Sequence, residues 1–254
     1  MPEDPHAAAV KMDDTTGVRR VLVVTAHPDD VDFGAAGTVA AWVKAGLEVA
    51  YCIATDGDAG GTDRSVPRPD MARLRQAEQR AAAAELGVTD ITFLSYPDGR
   101  LAPTVELRRD VSRVVRLFRP DRLVCQSPER NWDRIGASHP DHLAAGEAAV
   151  CAAYPDARNP FAHPELLAEG LEPHAVRELW VMASPRPNRA VDITDTFGRK
   201  VVALRCHDSQ VSHEVDLEGR LREWAAAGAL WAGLGDGRLA EVFQAVDMPA
   251  SGSS

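Results

Sequence analysis

The chain has 254 residues, 45% of them hydrophobic, with a net charge of −10 and a pI near 5.3. That apolar content suffices for one layered α/β domain, while the acidic balance argues against nucleic acid or an anionic membrane surface as partner. No run approaches the ~18 apolar residues of a membrane-spanning helix, and MPEDPHAAAVKMDD lacks the charged and apolar regions of a secretory signal.

In chain order, residues 1–17 are polar and aperiodic and are expected as a mobile arm. Arg19–Ala26 is a continuous apolar run, the pattern of a strand buried on both faces. Helical spacing covers Gly34–Ala45, with Gly46 as the stop. A second strand is expected over Leu47–Thr55 and a Gly/Pro-rich loop over Asp56–Asp70. Met71–Leu86 reads as a helix closed by Gly87, Asp90–Tyr96 as a strand, Val105–Phe118 as a helix and Arg122–Gln126 as a fourth strand. A polar loop, Ser127–Ser138, precedes a helix over His139–Ala153. Alternation of this kind predicts βαβ units and a mainly parallel sheet with helices on both faces. Beyond Tyr154 the pattern loosens. Strands are expected over Glu178–Ala183 and Arg189–Ile193, helices over Asp195–His207 and Leu217–Leu230, and a disordered tail over residues 248–254. Residues 18–247 thus form one expected domain. Cys52, Cys125, Cys151 and Cys206 are far apart, with no C-x-x-C, and read as buried free thiols in a reducing, cytoplasmic setting.

Two short segments carry the chemistry. Residues 26–30 read AHPDD and residues 139–142 read HPDH, each following an apolar run expected as a strand. A lone His-Pro-Asp is usually a turn. Two of them at strand ends, where α/β sheets bind ligands, point to a shared metal site. A tight turn after the strand can aim His27 and Asp30 at one point, and His142 completes a His-Asp-His set suited to Zn²⁺. Three protein ligands leave a position for water, whose pKa zinc lowers to about 7. Asp29, next to Asp30, can then serve as general base. His139, one turn before His142, can stabilise an oxyanion or protonate a leaving amine. Asp141 either orients His139 or simply favours the helix N-terminus.

Together with TDGDAGG, Arg75-x-x-Glu78, YPDGRL, RPDRLV and ALRCHDSQ, these segments resemble the PIG-L/LmbE-like N-acetylglucosaminyl deacetylases over about residues 19–210. The resemblance implies a Rossmann-like (LmbE-like) α/β fold, one zinc ion and hydrolysis of the N-acetyl group of an amino sugar. It matches His27, Asp30 and His142 to the zinc ligands, Asp29 to the general base, His139 to the acid or oxyanion stabiliser and Asp141 to its orienting partner. There are departures: Val31 stands where Glu is commonest, and Ala137 where some members carry a carbonyl-polarising Tyr. Oxyanion support would then come from zinc, His139, Asn131 or Trp132. Arg75, Asp98 and Asn131 are expected to bind substrate. His207 and Gln210 either contact substrate or pack a helix end, and Trp224 and Trp231 have core or interface spacing.

The leading expectation is a zinc-dependent N-deacetylase acting on a small amino-sugar substrate, with no nucleic acid, no membrane insertion and homo-oligomer formation left open. An amidase of thiol conjugates keeps the metal and changes the amide. A dinucleotide enzyme is disfavoured because the first βα turn has no G-x-G-x-x-G. A non-catalytic metal- or sugar-binding protein would not require Asp29.

Overall fold

A computed structural model describes residues 10–61 and 63–248. The elements are β1 (Lys11–Met12), β2 (Arg20–Thr25), α1 (Asp30–Lys44), β3 (Glu48–Thr55), α2 (Arg68–Leu86), β4 (Asp90–Tyr96), α3 (Val105–Phe118), β5 (Arg122–Gln126), α4 (Pro140–Cys151), α5 (Pro164–Ala168), β6 (Glu178–Met182), β7 (Arg189–Asp192), α6 (Phe197–Arg205), α7 (Asp208–Val211), α8 (Leu217–Trp231) and β8 (Ala240–Asp247). The strands form one sheet in the order β1-β7-β8-β6-β5-β2-β3-β4. All neighbours are parallel except β8, which runs antiparallel to β6 and β7.

Successive side chains of a strand point to opposite faces, and here both faces are apolar because both are covered. Val21 and Val23 of β2 join Tyr51 and Ile53 of β3 in one core, with Trp42 of α1, Leu86 of α2 and Leu204 of α6. Leu22 and Val24 join Cys52 and Cys125 in the other, against Leu107 and Val115 of α3 and Ala145 and Ala148 of α4. Leucine- and valine-rich runs without alternation are the sequence image of this double burial. Among the described residues no helix is long and apolar enough to cross a membrane.

The central pair positions everything that follows. β2 lies between β3 and β5, with Val24 opposite Cys125. The chain crosses to β3 on one side and returns to β5 on the other, so the order reverses at β2, and the carboxyl ends of β2 and β5 open side by side. The two His-Pro-Asp segments follow those two ends.

Several expectations need correction. The mobile arm was expected to reach residue 17. Residues 1–9 lie outside the described residues, but Lys11 and Met12 pair with β7 and Asp13 accepts from Trp42 Nε1 at 2.6 Å. α1 begins at Asp30, four residues before the expected Gly34, and α2 begins at Arg68 inside the expected loop. β8 was not anticipated at all. The expected tail begins at Met248, whose amide donates to Arg177 O at 2.8 Å; residues 249–254 lie outside the described residues. All four cysteines are free; Cys52 and Cys125 are buried as expected, whereas Cys151 and Cys206 are only partly so.

Gly146 on α4 lets that helix approach β5. An added Cβ would stand 2.3 Å from Gln126 O and 3.0 Å from Pro128 N, both backbone atoms. We expect Gly146→Ala to cost about 1–3 kcal/mol, as overpacking does, and to lower Tm by several degrees. An unchanged melting curve would show that α4 can shift freely.

Candidate active site

The first His-Pro-Asp segment is a strand-to-helix turn held at both ends. Ala26 closes β2's end: its amide donates to Gln126 Oε1 at 2.9 Å, and its carbonyl accepts from Thr55 N at 2.8 Å. Asp29 then takes a left-handed conformation, φ 92°, which swings the chain into α1. The turn brings Asp30 back onto His27, whose amide donates to Asp30 Oδ2 at 2.6 Å. Asp30 Oδ2 also lies 3.4 Å from His27 Nδ1, and Asp30 Oδ1 lies 3.0 Å from His142 Nε2.

The second segment opens α4. His139 caps the helix, its Nδ1 accepting from Asp141 N at 3.2 Å. His142 stands one turn further and donates from Nδ1 to Ala137 O at 3.1 Å. That bond puts a proton on Nδ1 and turns Nε2 toward Asp30 Oδ1. The rings of His27, His139 and His142 have centroids 5.2–5.4 Å apart. The expected convergence of the two segments is therefore observed.

Other placements differ from expectation. The carboxylate of Asp141 serves His27, not His139: Oδ2 lies 3.2 Å from His27 Nε2 and accepts from Gly99 N at 2.7 Å, while Oδ1 accepts from Leu101 N at 3.2 Å. Asp98 was expected to hold a sugar hydroxyl. Its Oδ1 is instead 3.1 Å from His27 Nε2 and its Oδ2 accepts from Ala59 N at 3.2 Å. Asn131 spends its side chain on its own loop, accepting from Asp133 N and Arg134 N and reaching Ala183 O. Trp132 is exposed on the same loop, and Trp224 and Trp231 are partly exposed. His207 is fully buried, with Nε2 2.9 Å from Asp32 Oδ2.

Asp29 joins this cluster through Arg75, whose Nη1 lies 3.8 Å from Asp98 Oδ2. Arg75, 4% exposed, donates from Nη2 to Pro28 O at 2.6 Å and to Asp29 Oδ2 at 3.0 Å, and from Nη1 to Gly57 O at 3.1 Å. Arg75, expected at the substrate, here grips Asp29. A positive φ outside glycine costs of order 1–3 kcal/mol and persists where its surroundings enforce it. Gln79, which accepts from Asp29 N at 2.8 Å, was missed in the sequence. The signal was present: Arg75, Glu78 and Gln79 fall on the same helical stripe as Met71, Ala82, Ala83 and Leu86. Polar residues on a core-facing stripe need buried partners.

Four carboxylates (Asp29, Asp30, Asp98 and Asp141) meet three imidazoles and the Arg75 guanidinium here. Burial opposes a charge on His27, but Asp30, Asp141 and Asp98 override it and push its pKa up to about 12. Burial likewise works against the charge on His142, and Asp30 raises it. Burial would raise Asp30; His142 and His27 hold it well below the usual carboxylate range. Asp29 is pushed up to about 6, by burial first, with Arg75 opposing. His139 is lowered by burial and by the neighbouring His27 and His142. A site that must protonate its imidazoles to balance its carboxylates fits a bound cation in place of those protons. Ligand atoms of His27, His139 and His142, and those of His27, Asp98 and Asp141, each lie within 4.8 Å of one another.

Because Arg75 opposes the rise in Asp29's pKa, removing it moves that pKa further up. With Asp29 as the expected base, which must be ionised to accept a proton, Arg75→Met should shift the acid limb of kcat/KM to higher pH, a shift read from the pH–rate profile. An unmoved limb would show that Arg75 and Asp29 are not electrostatically coupled during turnover.

Residues 22–153 match a family profile described as PIG-L, GlcNAc-PI de-N-acetylase. The chain is 34% identical over 202 residues to a diacetylchitobiose deacetylase of Thermococcus kodakarensis, covering 78% of this chain and 72% of that one. It is 27% identical to a probable N-acetyl-alpha-D-glucosaminyl L-malate deacetylase 2 of Bacillus cereus, covering 84% and 94%. Its fold superposes on an N,N'-diacetylchitobiose deacetylase from Pyrococcus horikoshii, solved with an inhibitor, with a TM-score of 0.84 at 30% identity, over 92% of this chain and 85% of that one.

Proposed function

The chain belongs to the PIG-L family of GlcNAc-PI de-N-acetylases, and we propose that it is a zinc-dependent hydrolase removing the N-acetyl group of an N-acetylglucosamine unit joined to a further group. The observation that carries this reading is the Asp30 carboxylate, one oxygen on His27 Nδ1 and the other on His142 Nε2.

His27, Asp30 and His142 would hold the zinc. The outward hydrogen bonds support this set over the alternatives. His142 gives Nδ1–H to Ala137 O, and His27 turns Nε2 to Asp141 and Asp98. Each ring thereby keeps its inner nitrogen free as a donor atom, the usual arrangement of ligating histidines. Asp98 and Asp141 are already engaged with backbone amides and serve as the partners of His27. Two imidazoles and a carboxylate suit zinc, which when bound supplies Lewis acidity to an amide carbonyl and makes water more acidic.

The chain's own groups do the rest. Asp29, steered by Arg75, accepts the proton of the attacking water. His139 takes a hydrogen bond on Nδ1 from the Asp141 amide, so in its neutral form the proton sits on Nε2. Its lowered pKa favours that form. His139 is therefore a hydrogen-bond donor for the oxygen that becomes negative in the tetrahedral state. Proton return to the departing amine falls to Asp29.

The sugar assignment leans on relatives that act on N-acetylglucosamine linked to different groups. The test is a panel of N-acetylglucosaminides incubated with zinc-loaded protein, scored for free amine and acetate. Release from at least one member supports the reading. No release from any, with cleavage of a larger acyl amide on a thiol conjugate, would replace it with the amidase.

A further inference from the structure

Asp29 is gripped from two sides, and the mechanism above uses one of them. Arg75 holds its carboxylate; Gln79, one turn along α2, holds its backbone amide through Oε1 at 2.8 Å. Behind Gln79 the contacts continue. Gln79 Nε2 donates to Asp32 Oδ2 at 2.8 Å, and the same oxygen lies 2.9 Å from His207 Nε2. Gln79, Asp32 and His207 are all 0% exposed, and they arrive from α2, from α1 and from the turn entering α7. The polarity of the chain is forced. A backbone amide only donates. Gln79 must therefore turn its carbonyl to the Asp29 amide and its NH₂ to Asp32 Oδ2, the oxygen that also meets His207 Nε2.

We propose that Gln79, locked by Asp32 and His207, is a positioning residue for the reaction: it fixes the left-handed turn that aims the Asp29 carboxylate into the site. The inference rests on the reading of Asp29 as proton acceptor. A network serving core stability alone has no need to end on that amide. Apolar side chains fill such space without burying polar groups, and, among the described residues, the remaining His207 Nδ1 and Asp32 Oδ1 have no hydrogen-bond partner. Among the described residues, the group outside the network that its side chains bond is the amide of Asp29, the residue with φ 92°.

Gln79→Leu fills the space and drops the amide. Its kcat should fall about 10–100-fold, the scale of a displacement of about an ångström in a reacting group, while KM and the bound metal stay at wild-type values. A folded, metal-loaded Gln79→Leu enzyme with kcat within about threefold of wild type would overturn the proposal. If that variant does not fold, a polarity swap decides. Gln79→Glu sets a carboxylate against Asp32 and should cost kcat on the same scale. Adding Asp32→Asn lets position 32 donate to the new carboxylate and to His207 Nε2, with the His207 proton moved to Nδ1. The carboxylate at position 79 still accepts from the Asp29 amide. The double variant should recover kcat to within about threefold of wild type, a coupling that independent structural defects would not show. A double variant as slow as Gln79→Glu alone would overturn the proposal. Asp29→Asn is run alongside. Full activity in Asp29→Asn removes Asp29 as acceptor and this inference with it, whereas an inactive Asp29→Asn beside a fast Gln79→Leu removes the positioning role alone.

Discussion

Asp29→Asn should keep its zinc and its fold yet lose about 10²–10⁴-fold in kcat, the usual worth of a general base. The side chain is nearly isosteric, and it can still accept from Arg75 Nη2, which lies 3.0 Å from the carboxylate in the wild type. What it cannot do is accept a proton. Burial raises the pKa of this carboxyl to about 6, with Arg75 restraining it. It is therefore ionised at neutral pH yet basic enough to take a proton from acidified water. Paired measurements of turnover and metal content by elemental analysis decide the matter. Loss of metal together with activity would make Asp29 a ligand and send the search for the base to His139.

The second large effect concerns the metal. His27→Ala and His142→Ala should each empty the site and abolish turnover, because each removes one of two imidazoles that Asp30 holds together. Asp141→Asn should act more gently, lowering metal affinity or activity about 10–100-fold, as partners of ligating histidines do. Its carboxylate orients the His27 ring and is itself pinned by the Gly99 and Leu101 amides. Wild-type metal content in His142→Ala would point instead to His27, Asp98 and Asp141 as the binding set, since that group does not include His142.

The parts of this molecule legible in its sequence are those whose signal is local. β2, β3 and β5 are buried on both faces, and a doubly buried strand leaves a continuous apolar run that needs no partner to be recognised. The two His-Pro-Asp segments are legible for the same reason: each is four or five residues long and follows such a strand. β8 left no comparable mark. It is half exposed toward its end, and it pairs antiparallel between β6 and β7 in a sheet whose other pairings are parallel. The arm misled because two residues on an edge strand carry no period, although β7 captures them.

Roles within the site were harder to read than membership in it. The resemblance matched Asp141 to the orienting partner of His139, beside the reading of a carboxylate that favours the helix N-terminus. The carboxylate turns instead to His27, drawn by amides from the loop after β4, some 40 residues away in sequence. Gln79 meets Asp29 across 50 residues, and His207 meets Asp32 across 175. Such pairings are set by how α2 and the α6–α7 region pack on α1, and no local pattern encodes them. Asp98 and Asn131 were expected to bind substrate. Asp98 divides its carboxylate between His27 Nε2 and the Ala59 amide, and Asn131 turns its side-chain oxygen to the Asp133 and Arg134 amides.

The most direct test is a metal titration followed by acetate release. Protein stripped with a chelator is given increasing zinc in the presence of an N-acetylglucosaminide that the untreated enzyme accepts. Acetate production should be near zero without metal and reach its full rate at about one equivalent per chain, the stoichiometry expected of a single His-Asp-His site. His142→Ala should stay silent throughout. Full-rate acetate release from the stripped protein, or from His142→Ala, would contradict the account.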